Sequence, residues 1–132
     1  FGRIGKLLAL RLRDMGAKVT VAARKGSDRA WARALGMEDT DTAALAGKLG
    51  NFDVIVNTVP AMLLTGELLS ETGKDVFILD LASRPGGGNF AAAARLDRRA
   101  VWALGLPAET APQTAAKLME ESIFAMMEEE HG

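Results

Sequence analysis

Two hydrophobic rhythms alternate along the chain. Across residues 2–15, Ile4, Leu7, Leu8, Ala9 and Leu12 recur at helical spacing, with Lys6, Arg11, Arg13 and Asp14 off that stripe. This predicts an amphipathic helix, which Gly16 stops. Residues 18–23 (KVTVAA) are a continuous, partly β-branched run and predict a buried strand. Ser27 is placed to cap a second helix reaching about residue 35, with Asp28 in its first turn and Gly36 at its end. Residues 42–49 read as a third, short helix closed by Gly50 and Asn51. The run VIVN at 54–57 is a buried strand ended by Thr58-Val59-Pro60, followed by a helix around 64–71 and a strand VFILD at 76–80. Arg84-Pro85-Gly86-Gly87-Gly88 is a loop, 90–96 an Ala-rich helix and 100–103 (AVWA) a last strand. Gly105-Leu106-Pro107 and Pro112 are expected to bracket another loop before a long terminal helix over 113–129, whose acidic end Glu128-Glu129-Glu130 is expected to be solvated.

Short continuous apolar strands separated by helices predict a parallel sheet covered on both faces. Right-handed connections then favour an α/β, doubly wound Rossmann fold over residues 1–132, a single nucleotide-binding domain. The first strand of such a sheet is central, and here it would precede Phe1. The chain opens inside a glycine-rich turn with no Met, so it is expected to be a fragment of a longer, two-domain protein. Without that strand two edges in the middle of the sheet stay unpaired, and the 132 residues alone are expected to fold poorly.

Composition narrows the chemistry. With 48% apolar residues over 132 positions the chain is an ordinary globular domain. Sixteen Lys and Arg against 17 Asp and Glu give a net charge of -1, which argues against nucleic-acid binding. No apolar run approaches the ~20 residues of a membrane span. There is no Cys, and the single His, His131, is penultimate, so no metal site is expected. These features point to a cytoplasmic domain whose chemistry comes from a cofactor or from carboxylates, lysines and hydroxyls.

Phe1-Gly2-Arg3-Ile4-Gly5 fits the last five positions of G-x-G-x-x-G. In that turn one Gly lets backbone approach a pyrophosphate and the next lets the helix pack on its strand, while the helix N-terminus presents free N–H groups. Two glycines three apart also make a plain tight turn, but a helix and then a strand follow at the right distance. At the end of that strand an NAD-binding domain carries an acid for the ribose 2′-hydroxyl. Here the chain reads Ala22-Ala23-Arg24-Lys25-Gly26-Ser27, with no acid before Asp28. Two cations and a hydroxyl suit a 2′-phosphate, so NADP(H) is expected over NAD; the competing reading is a solvated basic loop.

Ligands of open α/β sheets lie outside the carboxyl ends of the strands. Asn57, Thr58, Val59 and Pro60 follow one strand and are placed to line the nicotinamide side, although capping and turn chemistry would also explain them. The next such loop offers Asp80, Ser83 and Arg84 beside three glycines. Asp80 is equally suited to anchoring its own loop, and a fixed Arg84 could grip a substrate carboxylate. Gly105 could bring backbone against the nicotinamide ring. Ser83 and Arg84 are the catalytic candidates, and no general acid or base stands out.

The segments FGRIG, VTVAARK, NFDVIVNTVPA, ILDLASRPGG and GLPAETAPQTA resemble the dipicolinate synthase A-type family, over essentially the whole chain. The resemblance implies that family's C-terminal nucleotide-binding domain and an absent N-terminal substrate domain. It also implies a flavoprotein-like partner, the B-type polypeptide of dipicolinate synthase, in endospore-forming bacteria. The implied reaction is oxidation of a dihydrodipicolinate to dipicolinate with NADP during sporulation, in the cytoplasm of the mother cell. Carried over, Gly2, Arg3, Ile4 and Gly5 cradle the pyrophosphate and Arg24, Lys25 and Ser27 meet the 2′-phosphate. Asn57, Thr58, Val59 and Pro60 line the nicotinamide side, with Ser83, Arg84 and Gly105 on the cleft. A small dicarboxylate substrate gives Arg84 a role, and a homo-oligomer stays open. The Asn-Thr-x-Pro segment is also similar to shikimate dehydrogenases, so a reductase of that kind, or a non-catalytic NADP-sensing module, are the alternatives.

Overall fold

The computed structural model describes residues 1–82 and 88–102, the last by its backbone alone. Its elements run α1 (Arg3–Asp14), β1 (Thr20–Ala22), α2 (Gly26–Ala34), β2 (Glu38–Thr40), β3 (Val54–Asn57), α3 (Gly66–Ser70), β4 (Phe77–Asp80), α4 (Phe90–Arg95) and β5 (Arg99–Trp102). All pairings are parallel. β1 pairs with β2, Ala22 opposite Thr40, in one sheet. β3, β4 and β5 form a second sheet with β4 central, Asn57 opposite Asp80 and Asp80 opposite Trp102. This is the expected α/β architecture, divided into two sheets because no described strand lies between β1 and β3 to carry the ladder across.

The helix α1 holds the two sheets side by side. Leu8 packs with Phe77 and Leu79, together with Ile4, Leu12, Val54 and Val56 of α1 and β3. Its neighbour Ala9 packs instead with Val21, Ala23, Ala32 and Met37, on the side of the first sheet. On the opposite face Ile78 sits among Leu45, Leu49, Leu64, Leu69 and Ala93, a cluster that Ala22 and Ile55 both join. Phe77 and Leu79 thus point to one face and Ile78 to the other, as the pleat demands, and every residue of β4 is buried. In β3, by contrast, Val54, Ile55 and Val56 are only half-buried.

Local chemistry sets the boundaries. Gly16 (φ +95°) and Gly36 (φ +79°) follow α1 and α2 in the left-handed region, where a Cβ would be strained, and so end both helices. Thr65 and Asn89 cap α3 and α4, each side-chain oxygen accepting an N–H three residues on, at 3.3 and 3.0 Å.

Three expectations need correction. Ser27 does not cap α2: the capping position is Lys25, whose side chain makes no cap hydrogen bond, and Ser27 lies within the first turn. Residues 42–49 do not make one continuous helix. They form a single tight turn at Thr42–Ala44, with another at Leu49–Asn51, because Gly47 takes φ +81° and interrupts the path. The strand β2 went unpredicted because Glu-Asp-Thr is polar and two of its three side chains are only partly covered; pairing with β1, not hydrophobic pattern, makes it a strand. The terminal helix expected over 113–129 and residues 84–87 of the loop expected at 84–88 lie outside the described residues.

Candidate functional site

The carboxyl ends of β1 and β3 and the N-terminus of α1 meet at one rim of the molecule. α1 begins immediately after Gly2, with no side chain capping it and no acid in its first turn. Its first helical bond runs from the Lys6 N–H to the Gly2 carbonyl at 3.1 Å. The N–H groups of Arg3, Ile4 and Gly5 therefore precede the helical ladder, at the positive end of the helix dipole. Gly2 and Arg3 are exposed. A methyl group added at Gly2 would meet nothing within 4 Å, whereas one at Gly5 would lie 3.1 Å from the Phe1 ring and 3.5 Å from the Thr58 hydroxyl. The glycine turn and the loop after β3 are thus in contact at Gly5, and only a residue without Cβ fits there unaltered. Ile4 turns its side chain into the core and can offer a ligand only its backbone.

The loop after β3 is held from within. The Asn57 carboxamide donates to the Val59 carbonyl at 3.0 Å and to Asp80 Oδ1 at 3.1 Å, and its oxygen accepts the Val59 N–H at 3.3 Å. Asn57 is buried, so it shapes the loop instead of presenting itself to a ligand, while Thr58 and Val59 are half-buried and Pro60 exposed. Asp80 is 0% exposed, and its Oδ1 also accepts the Ala82 N–H at 2.9 Å, the loop-anchoring role open to it in the sequence.

Beyond β1, Arg24, Lys25, Gly26 and Ser27 are all exposed. The first acid after them, Asp28, lies 3.9 Å from Lys6 Nζ. That ammonium also stands 5.9 Å and 5.5 Å from the Phe1 and Trp31 ring centres, which themselves meet edge to face at 5.5 Å. The start of α1 is therefore tied to the start of α2, and the Asp28 carboxylate faces Lys6.

Sequence reasoning missed a second arrangement here. Arg29 Nη1 donates to the carbonyls of Ala23 (3.0 Å) and Arg24 (3.1 Å) and to Asp41 Oδ2 (2.9 Å). Asp41 Oδ1 accepts the Ala43 N–H at 2.9 Å. That backbone bond, with the Arg29 guanidinium and Lys48 behind it, outweighs desolvation and holds the Asp41 carboxyl below its ordinary range. The only sequence signal was an Arg one turn into α2, too common to single out.

Ser83, Arg84 and Gly105 lie outside the described residues. Among the described residues no group of three or more His, Cys, Asp or Glu could hold a metal ion, and no helix is long and apolar enough to cross a membrane.

Among known proteins, the chain is 34% identical over 128 residues to the dipicolinate synthase A polypeptide of Bacillus subtilis (strain 168), covering 97% of this chain and 43% of that protein. The chain is homologous to the A-type polypeptide of dipicolinate synthase. Solved structures agree: the crystal structure of the corresponding dipicolinate synthase polypeptide from Bacillus halodurans superposes with a TM-score of 0.79 at 35% identity, over 96% of this chain and 43% of that one. Its counterpart in the crystal structure of dipicolinate synthase from Bacillus subtilis gives 0.78 at 34% identity, over 97% and 43%. No family model matches. The chain thus spans less than half the length of these dipicolinate synthase polypeptides.

Proposed function

We propose that the chain is the NADP(H)-binding domain of an oxidoreductase that oxidises a dihydrodipicolinate to dipicolinate. The observation that carries this reading is the juxtaposition at one rim. An uncapped helix start with an open glycine touches the loop after β3 at Gly5 and Thr58, and an exposed Arg24-Lys25 pair follows β1, with the next acid in sequence, Asp28, 3.9 Å from Lys6 Nζ. The residues fit the cofactor. The N–H groups of Arg3, Ile4 and Gly5 would receive its pyrophosphate, and Arg24, Lys25 and Ser27 its 2′-phosphate. Thr58, Val59 and Pro60 would border the nicotinamide, with Gly105 closing that side. When bound, the nicotinamide supplies hydride transfer; the chain's own residues supply position and electrostatics.

The substrate comes from the similarity to dipicolinate synthase. In this reading the domain belongs to a longer, two-domain polypeptide. That polypeptide works with the B-type partner of the synthase in the cytoplasm of the mother cell of a sporulating bacterium. Arg84 and Ser83 are proposed to face the dicarboxylate substrate.

The test is a paired titration of NADPH and NADH into the natural full-length polypeptide. NADPH should bind more tightly, and replacing Arg24 and Lys25 with neutral residues should weaken NADPH by roughly 10- to 100-fold, the value of one or two charge-assisted phosphate contacts, with little effect on NADH. Equal affinities would make Arg24-Lys25 a solvated loop and remove NADP from the proposal.

A further inference from the structure

The Arg24–Ser27 segment must hold one shape if it is to select a phosphate, yet all four residues are exposed. What constrains it lies beneath. Arg29, three-quarters covered at its side chain, gathers the Ala23 and Arg24 carbonyls and the Asp41 carboxylate onto one guanidinium nitrogen. Asp41 follows β2 directly, and its other oxygen is committed to the Ala43 N–H. The end of β1, the first turn of α2 and the end of β2 are thereby fastened at a single point. Two backbone carbonyls that would repel an anion are drawn toward Arg29, and the Arg29 charge is answered by Asp41. The two side chains just above, Arg24 and Lys25, share in none of these bonds.

We propose that Arg29, oriented by Asp41, is a positioning residue for phosphate selectivity. It does not contact the 2′-phosphate; it keeps the loop in the form from which Arg24, Lys25 and Ser27 reach it. This rests on the NADP reading above and extends it to residues outside the cofactor contacts.

Two measurements on the full-length polypeptide test this, and the first needs no cofactor. Arg24 and Lys25 are themselves trypsin sites, so limited trypsin digestion reports opening of the loop. In Arg29→Ala and Arg29→Lys, cleavage after Arg24 or Lys25 should rise about tenfold while the rest of the fold keeps its protection. Unchanged cleavage in Arg29→Ala would overturn the brace. The second measurement is the ratio of NADH to NADPH dissociation constants. The brace predicts that Arg29→Lys, which keeps the charge, and Asp41→Asn, which removes a negative charge near the phosphate, both lower that ratio by about tenfold. A ratio preserved in Arg29→Lys and raised in Asp41→Asn would mean that charge alone matters and would also overturn the proposal, as would parallel losses for both cofactors. A wild-type ratio near one would instead defeat the NADP reading itself and the selectivity role with it, leaving the digestion to decide whether the brace exists.

Discussion

Asn57 and Asp80, 23 residues apart, end adjacent parallel strands in direct register, and the Asn57 carboxamide donates to the Asp80 carboxylate at 3.1 Å with both residues buried. Each then turns back on its own loop, Asn57 to Val59 and Asp80 to Ala82. One buried polar contact therefore sets the start of two rim loops.

Removing either partner should be costly. Asp80→Ala leaves the Asn57 amide short of an acceptor and the Ala82 N–H without its carboxylate, and should lower stability by about 2–3 kcal/mol. Asn57→Ala should cost less, since Asp80 keeps its bond from Ala82. Urea unfolding of both variants measures this; equal, negligible losses would show that the pair is not holding the loops.

The two glycines of the first turn should behave oppositely. Gly5→Ala places a methyl group 3.1 Å from the Phe1 ring and 3.5 Å from Thr58, so ring or loop must shift, at a cost of about 1–3 kcal/mol. Gly2→Ala meets open space at a backbone φ of -91°, and should change stability by no more than about 0.5 kcal/mol. If the pyrophosphate settles there, Gly2→Ala still weakens NADPH binding. A Gly2→Ala variant with unchanged stability and unchanged NADPH affinity would remove that turn from the cofactor site.

Asp41 carries a pH signature. Its carboxyl is held below the ordinary value in the folded state, chiefly by the Ala43 N–H and then by Arg29. Stability from this group is therefore complete above the unfolded-state pKa and disappears as pH falls through the lower folded one. Asp41→Asn should flatten the acid limb of the stability curve below about pH 4 and leave its slope near neutrality unchanged. The same acid limb in wild type and variant would remove Asp41 from that account.

The inner edges of β1 and β3 lack a described partner, although α1 packs against both sheets. In the 132-residue chain, amides of β1 and β3 should exchange with solvent faster than those of β4, which is paired on both sides. A further parallel strand paired with both edges would slow that exchange and sharpen the thermal transition. A cooperative melt of the 132 residues alone, with β1 and β3 as protected as β4, would refute this.

The sequence by itself determined the class of fold and most of its elements. Ile4, Leu8 and Leu12 recur on one helical stripe, and VIVN and VFILD are apolar without alternation, because the helix packs on one side while the strands are covered on both. It also placed the glycines at a helix start and two exposed cations after β1. Only the tertiary structure decided which polar residues are used up inside. Asn57 reads like a ligand-facing residue, yet its hydrogen bonds go to Val59 and Asp80, partners set by strand register and a turn. Nor could spacing reveal Arg29: its acceptors lie on the end of β1 and beyond β2, and they converge only when those strands pair. The polar β2 was invisible for the same reason, since its stabilising bonds are to another segment and leave no periodicity in its own.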